Sequence, residues 1–344
     1  MKKIILSIAL ILLAGISATL AQDGQSQCRL VSKISLEGDG GWDYLTMDVP
    51  TSRLFVSHGT VVHVVDVLSG KVIRTIPDTK GVHGIAIAHD LNKGFISNGR
   101  ATSVTVFDLK TLDVIAKVKV TGSNPDAILY DPFSGHVFTY NGRSSNATVL
   151  DARTNEVVGT IELPGKPEFS VTDGKGRVWV NIEDKSLICL IDPVKMTLEK
   201  SWSIAPGEEP SGLALDSKEN RLFSVCGNKM MVVVDADNGE VISTVEIGDR
   251  VDGVAYDPEL KRIYSSNGDG TLTVVQEEDK NTFKVIENFP TQVGARTIYL
   301  NPETHRIYLP VAEYNPVPAA TPENPRPRPS AKPGTFTILE IEPI

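Results

Sequence analysis

The sequence GVAYDPELKRIYSSNGDGTLTVVQEEDKNTFKVI, residues 253–286, shows the repeating unit of the chain most clearly. It contains runs of β-branched and aromatic residues that alternate with Gly, Asn, Asp and Pro, a pattern typical of short β-strands joined by turns. The predicted strands cover residues 253–257, 262–266, 271–275 and 282–286. Asp257-Pro258 ends the first strand and Asn267-Gly268 ends the second, so the stretch predicts one four-stranded antiparallel unit.

The same unit recurs along the chain. Seven times an aromatic residue follows two positions behind a basic one, at Phe55, Phe95, Phe138, Trp179, Phe223, Tyr264 and Tyr308. A polar residue marks the end of each third strand, at Asp66, Asp108, Asp151, Asp192, Asp235, Gln276 and Glu340. A period of about 40–45 residues is typical of a β-propeller, with one repeat per blade. The sequence therefore predicts an all-β fold, a seven-bladed β-propeller with four antiparallel strands per blade.

The seventh repeat ends after its third strand, and residues 28–36 supply a candidate for the fourth. Within them Ile34 and Leu36 alternate with Lys33 and Ser35, as in a half-buried strand. We expect this strand to pair with residues 335–341 and to close the ring as one N-terminal strand plus three C-terminal strands. The predicted blades cover residues 42–81, 82–123, 124–165, 166–207, 208–248, 249–292, and 293–344 with 28–36.

Several repeats resemble the YVTN-repeat family of β-propellers. The resemblance rests on segments such as Arg221-Leu222-Phe223-Ser224-Val225 and Arg262-Ile263-Tyr264-Ser265-Ser266-Asn267, each preceded by a strand and a turn. The match covers essentially the whole chain after the leader, and it departs most in blade 7, where Leu309-Pro310-Val311 replaces the end of the motif. The resemblance implies a seven-bladed, exported propeller and leaves the activity open.

The first 21 residues predict a cleaved signal peptide. Lys2 and Lys3 precede an apolar run, and Thr19-Leu20-Ala21 is a suitable cleavage site before Gln22. The run is shorter than the roughly 20 apolar residues of a membrane span. We therefore expect residues 22–344 to form a single exported domain, periplasmic or secreted, that is monomeric and has no membrane span.

The chain is acidic, with a formal net charge of −9 at neutral pH. Non-specific nucleic-acid binding uses a positive field, so nucleic acid is not an expected partner. The expected partner is a protein, a peptide or a small molecule. The three cysteines, Cys28, Cys189 and Cys226, lack the spacing of a metal site and receive no functional role.

Charged residues recur where each innermost strand begins, a position that faces the mouth of a propeller's central channel. The residues at this position are Asp43, His83, Asp126, Glu168, Ser211, Asp252 and Arg296. Six of the seven are ionisable, although the next residue is often small, as at Gly84, Ala127, Gly212 and Gly253. Because packing alone does not require charges there, we expect a ligand-binding site at this mouth.

Other unusual residues are expected at the same end of the channel, here called the mouth face, which carries the turns between second and third strands. The second strands end at His58, Asn98, Asn141 and Asn267. Between Glu313 and Gly334, blade 7 has an insertion with seven prolines, which is either a preorganised adaptor or a disordered loop. Trp42 precedes Asp43 and is placed either to stack on a ligand or to plug the channel. His63 is expected to be exposed on a strand face.

Three interpretations of the mouth remain open. It is a solvated funnel or protein-binding face, a non-catalytic ligand or ion site, or the active site of an enzyme. Asp43, Asp126, Glu168 and Asp252 suit Ca²⁺ or Mg²⁺, with His83 as a further ligand or acid–base group. A bound cation there would allow a metal-assisted hydrolase or lyase, by resemblance to propeller lactonases. The preferred interpretation is a binding module without an assigned reaction.

Overall fold

The computed structural model describes residues 26–321, 325 and 327–344. In this part of the chain the strands form seven four-stranded antiparallel sheets, each with neighbours in chain order except for the closing blade. The predicted seven-bladed β-propeller is confirmed. The predicted signal peptide lies outside the described residues.

Strand β1 covers Cys28–Ser35, and the next strands form six regular blades. Blades 1 to 3 consist of β2 (Trp42–Asp48), β3 (Arg53–His58), β4 (Val61–Asp66) and β5 (Lys71–Ile76); β6 (Val82–Ala88), β7 (Lys93–Asn98), β8 (Ser103–Asp108) and β9 (Val114–Lys119); and β10 (Pro125–Asp131), β11 (His136–Asn141), β12 (Asn146–Asp151) and β13 (Val157–Glu162). Blades 4 to 6 consist of β14 (Pro167–Thr172), β15 (Val178–Ile182), β16 (Leu187–Asp192) and β17 (Thr197–Ser203); β18 (Pro210–Asp216), β19 (Arg221–Cys226), β20 (Met230–Asp235) and β21 (Val241–Glu246); and β22 (Val251–Asp257), β23 (Arg262–Asn267), β24 (Thr271–Asp279) and β25 (Thr282–Pro290). Short 3-10 helices occupy three turns, Val49–Thr51, His89–Leu91 and Glu183–Lys185.

Blade 7 closes the ring with both ends of the chain. Its strands are β26 (Tyr299–Leu300), β27 (Ile307–Val311) and β28 (Thr337–Pro343), and β1 pairs antiparallel with β28 as the outermost strand. The pairing runs from Cys28 opposite Pro343 to Ser35 opposite Thr337. Ile34 and Leu36 are buried in the blade 7 core, as the alternation predicts. The one-plus-three closure is confirmed.

The repeated aromatic residues form the cores between neighbouring blades. All seven are at most 1% exposed. Their regular spacing is a packing requirement of the repeat, because each second strand presents one large side chain to the adjoining blade. These residues therefore explain the fold and carry no information about function.

The innermost strands bulge at the mouth face. In blades 1 to 6 the pairing between first and second strands shifts register next to the strand's opening residue, for example between Trp42 and Leu45 and between Pro125 and Ile128. Bulges re-aim side chains at the rims of closed β structures. In blade 2, Ser97 of the second strand accepts a hydrogen bond from the Gly84 amide and donates one to the Asp126 carbonyl of blade 3. Small polar residues of the second strands thus hold neighbouring bulges in place.

No helix among the described residues is long and apolar enough to cross a membrane. Cys28, Cys189 and Cys226 are buried free thiols.

Candidate functional site

The bulges bring the predicted charged residues together around the channel mouth. His83 Nδ1 lies 2.6 Å from Asp43 Oδ2 and 3.5 Å from Asp126 Oδ1. Arg296 Nη1 lies 2.7 Å from Asp252 Oδ2, and its Nη2 lies 3.8 Å from Asp43 Oδ1. The side chains of blades 1, 2, 3, 6 and 7 therefore form one connected cluster that surrounds the channel.

Glu168 continues the cluster in blade 4, with a cation that sequence analysis missed. Lys166 Nζ lies 2.5 Å from Glu168 Oε1 and also pairs with Glu183. Lys166 stands two residues before Glu168, just ahead of the strand, so its position alone did not mark it. Here Asp43, Asp126, Glu168 and Asp252 are called the acidic ring. Their side chains are at most 19% exposed.

Three carboxyl groups of the acidic ring have raised pKa values, because burial and repulsion between neighbouring carboxylates disfavour their charged forms. Burial, and to a smaller extent the negative charge of Asp43, raises the pKa of Asp126 to about 7. Burial, and to a smaller extent the negative charge of Asp126, raises the pKa of Glu168 to about 9. Burial raises the pKa of Asp252 to about 6, although Arg296 opposes the rise. The available counter-charges therefore do not fully neutralise the ring.

His83 links two members of the ring. Burial lowers the pKa of this imidazole, but its hydrogen bond to Asp43 and the nearby charge of Asp126 outweigh burial and raise the pKa overall. Asp252 raises the pKa of Arg296, so its guanidinium stays charged. His83 and the carboxylates can thus exchange protons, whereas Arg296 is a fixed positive charge.

Two aromatic side chains lie beneath the ring and narrow the channel. The rings of Tyr44 in blade 1 and Phe169 in blade 4 have centroids 5.3 Å apart. They occupy the position after Asp43 and Glu168, where four other repeats have Gly or Ala and blade 7 has Thr297. Both also line a cavity of about 690 Å³ that continues along the channel toward the opposite face. The mouth is therefore a shallow charged basin, and its aromatic floor was visible in the sequence as two exceptions to the small-residue pattern.

The residues that end the second strands do not join this basin. His58, Asn98, Asn141 and Asn267 are at most 2% exposed. Asn141 Nδ2 donates to Asn146 Oδ1 at 2.9 Å and to Thr148 Oγ1 at 3.0 Å, and Asn267 makes the equivalent bonds to Thr271 and Thr273. Asn98 donates to Thr105 in the same way. These amides stabilise second-to-third strand turns inside each blade.

Blade 1 carries a buried histidine pair. His58 Nδ1 lies 3.3 Å from His63 Nε2, and the His58 ring stacks on Phe336. Burial lowers the pKa of His58 to about 4 and lowers that of His63. The expectation that His63 is exposed is wrong, because this side chain is 6% exposed and packs against His58 instead of facing solvent. Ser211 is also buried and donates to the Val251 carbonyl.

Trp42 does not plug the channel. Its ring packs against Phe336 at 5.4 Å and Tyr314 at 5.9 Å between centroids, and the side chain is 9% exposed. Its Nε1–H has no hydrogen-bond acceptor among the described residues. Trp42 therefore anchors blade 1 to blade 7 and leaves one polar atom unsatisfied.

We expect Trp42→Ala to lower the free energy of unfolding by about 3 kcal/mol, because a buried aromatic side chain leaves a cavity when it is truncated. Denaturant unfolding measures the change. Trp42→Phe keeps most of the contact area and should cost less than half as much. A loss below about 1 kcal/mol for Trp42→Ala would contradict this packing role.

The insertion of blade 7 begins and ends in a short stem on the mouth face. Tyr314 forms a β-bridge with Ala331, the Asn315 amide donates to the Ser330 carbonyl at 2.9 Å, and Lys332 pairs with Glu313. The Tyr314 ring reaches back to Trp42. The base of the insertion is thus fixed to the propeller beside the acidic ring.

Part of the acidic ring has the donor set of a cation site. Asp43, His83 and Asp126 each offer one ligand atom, and these atoms lie within 4.8 Å of one another. Carboxylate oxygens with one imidazole suit a divalent cation. However, His83 Nδ1–H already donates a hydrogen bond to Asp43 Oδ2, and Arg296 also lies beside Asp43. A metal would compete with both contacts.

The fold and the mouth together define the class of protein: a seven-bladed β-propeller with a charged basin at one end of its channel. No family model matches the sequence, and no curated protein matches it. The structure of Kuenenia stuttgartiensis hydrazine synthase is similar, at 17% identity and a TM-score of 0.68, with 80% of this chain and 94% of that chain covered. The structure of the RRP9 WD40 repeats is similar at 9% identity and a TM-score of 0.74, with 92% of this chain and 98% of that chain covered. The mitotic checkpoint complex contains a similar chain at 14% identity and a TM-score of 0.72, with 99% of each covered. At these identities the likeness shows the fold alone.

Proposed function

We propose that the protein is a non-catalytic binding module that holds a positively charged ligand at the mouth of its central channel. One observation carries this proposal: four largely buried carboxylates converge there, and the cations beside them are Arg296, Lys166 and a titratable His83. Like charges held together are destabilising unless protons or a cation compensate. A ligand that brings positive charge would relieve this repulsion.

The propeller fold supports binding more than any particular reaction. Closed propellers are scaffolds on which many functions occur, and the similar structures include both an enzyme by name and a chain of a multiprotein complex. The acidic ring and the stem of the insertion lie on one face, which gives a partner a continuous surface. We therefore place the partner, a protein segment or a small molecule with an amine or guanidinium, on the mouth face.

The sequence resemblance supports a place for this module outside the cytoplasm. We propose that it belongs with YVTN-repeat propellers, loses residues 1–21 as a signal peptide, and acts as a periplasmic or secreted monomer. The basis is the charged and apolar leader and the repeat motif. Mass spectrometry of the mature protein, with a predicted N-terminus at Gln22, tests the export step.

Thermal melting with charged probes tests the binding proposal. We expect spermidine to raise the melting temperature of the wild type in proportion to the logarithm of its concentration, because it binds only the folded state. Asp126→Asn should lose most of this response. Glu156→Gln, an exposed change on the opposite face, should keep it. Sodium chloride at equal ionic strength controls for general screening. A response that is equal in wild type and Asp126→Asn would contradict the proposal.

A divalent cation is the second candidate ligand, favoured by the convergence of Asp43, His83 and Asp126. If it is the ligand, Ca²⁺ or Mg²⁺ will raise the melting temperature, EDTA will reverse the rise, and spermidine will have little effect. Asp126→Asn should again lose the response. A melting temperature that neither ion changes would exclude a divalent cation as the ligand, and would also exclude a metal-assisted hydrolase or lyase.

A further inference from the structure

A second cavity opens on the mouth face, outside the acidic ring. Its volume is about 900 Å³, and it lies between the β22–β23 end of blade 6, the start of β2 and the stem of the insertion. Such a volume accommodates a small organic molecule. None of the four ring carboxylates lines it. The cavity and the acidic ring are therefore separate sites, and Arg296, which lines the cavity, also pairs with Asp252 of the ring.

The charge of this cavity is opposite to that of the ring. Arg250, Arg296 and Arg328 line it, and no carboxylate side chain is among the lining residues that the structure describes. Arg296 is paired with Asp252. Arg250 and Arg328 are exposed and form no ion pair within 4.0 Å with the described residues. Two guanidinium groups, each with several donors, are thus available to an anion.

The inner wall of the cavity is aromatic. Trp42 and Tyr314 both line it, with ring centroids 5.9 Å apart. A buried tryptophan N–H usually finds an acceptor, yet the Trp42 Nε1–H has none among the described residues. Because the Nε1 atom is itself buried, it does not face the open cavity, and the wall offers an occupant aromatic carbon surface.

The backbone around the cavity leaves room for a ligand to approach closely. Gly40, Gly41, Gly268 and Gly294 all line it. A Cβ atom added at Gly41 would meet no atom within 4 Å, and the backbone there is not in the left-handed region. A larger side chain at Gly41 therefore enters open space without backbone strain, which provides a way to obstruct the cavity.

We propose that this cavity binds a small planar organic anion, an aromatic carboxylate. The carboxylate pairs with Arg250 and Arg328, and the flat ring packs against the aromatic wall of Trp42 and Tyr314. This site goes beyond the proposed function, because a cation at the acidic ring and an anion in this cavity use different lining residues. Either can fail while the other holds.

Isothermal titration calorimetry with benzoate tests the site. We expect saturable binding of benzoate to the wild type, and no comparable binding of benzylamine, which has the same ring and a positive charge. Inorganic phosphate has the negative charge but no aromatic ring. We expect it to bind at least tenfold more weakly than benzoate, a difference of about 1.4 kcal/mol in binding free energy. Absence of benzoate binding, or equal binding of benzylamine or phosphate, would overturn the proposal.

Variants assign the binding to this cavity. Arg250→Gln combined with Arg328→Gln should weaken benzoate binding by roughly ten- to a hundredfold, since charge-assisted hydrogen bonds are lost. Gly41→Leu should weaken it at least tenfold by placing a bulky side chain at the cavity wall, and Tyr314→Leu should weaken it several-fold by removing part of the aromatic wall. Arg153→Gln, an exposed arginine on the opposite face, is the matched control and should bind as the wild type does. Circular dichroism melting confirms that each variant is folded. Full affinity in folded Gly41→Leu or in the double arginine variant would overturn the assignment.

Discussion

A chain that begins at residue 37 will lose most of its stability, because it lacks the strand that closes the ring. Strand β1 supplies the outer edge of blade 7, and Cys28, Ile34 and Leu36 are buried in that blade's core. Without β1, the edge of β28 and the apolar side chains beneath it become exposed. We expect a loss of about 5 kcal/mol or more, which is a large part of the stability of a typical domain.

The insertion provides the matched deletion. The ends of its stem are close together, since the Asn315 amide bonds to the Ser330 carbonyl. Replacement of residues 317–328 by two glycines therefore removes twelve residues without separating the stem, and we expect a change below about 1 kcal/mol. Equal losses in melting temperature for the two deletions would contradict the role given to β1.

Point substitutions within the same region make the comparison sharper. Leu36→Ala should cost about 2–4 kcal/mol because this side chain is buried. Leu30→Ala, on an exposed side chain of β1, should cost less than about 1 kcal/mol. Denaturant unfolding of the two variants measures both values.

The ring closure was predictable from the sequence because it depends on local periodicity. Repeated aromatic residues gave the blade count, and the alternation of Ile34 and Leu36 gave the face that β1 buries. The convergence of Asp43, His83, Asp126, Glu168, Asp252 and Arg296 was also predictable, because it follows from one position in each repeat. In both cases a fixed spacing along the chain becomes a fixed place in the propeller.

Other parts of the site were not predictable, because they depend on side-chain direction and on contacts between blades. Asn141 and Asn267 end their strands at the mouth face, yet their amides turn inward to bond the following strand. Lys166 precedes its strand and reaches Glu168 through the flexibility of its long side chain. The arginine-lined cavity also requires three distant segments to meet, two of them outside the repeat pattern.

Neutralising the acidic ring will make the protein more stable at alkaline pH. The pKa of Asp126 is about 7 in the folded protein against an ordinary value of 3.8. Between these two pH values the folded state therefore binds more protons than the unfolded state. As a result, the free energy of unfolding falls as the pH rises from the lower value to the higher one. Glu168, with a pKa of about 9, extends the fall to higher pH. Asp126→Asn removes the part of this loss of stability that comes from ionisation of Asp126.

We expect Asp126→Asn to raise the free energy of unfolding by about 1–3 kcal/mol at pH 8 and by much less at pH 5. His58 and His63, whose pKa values are lowered, act in the opposite direction below about pH 6.5. That effect is common to both proteins and cancels when the variant is compared with the wild type. Urea unfolding at the two pH values measures the difference. A variant less stable than the wild type at pH 8 would mean that the ring supports the fold.

We propose that the acidic ring binds a cationic ligand and that, without the ligand, its repelling carboxylates lower the stability of the fold. Calorimetric titration at pH 8 of spermidine, and separately of Ca²⁺, into the wild type and into Asp126→Asn with Glu168→Gln tests it most directly. We expect saturable binding of one of these cations to the wild type and its loss in the double variant, which remains folded and is the more stable protein. Unchanged binding in the double variant, or a wild type that binds neither cation, would rule out a cation site at the acidic ring.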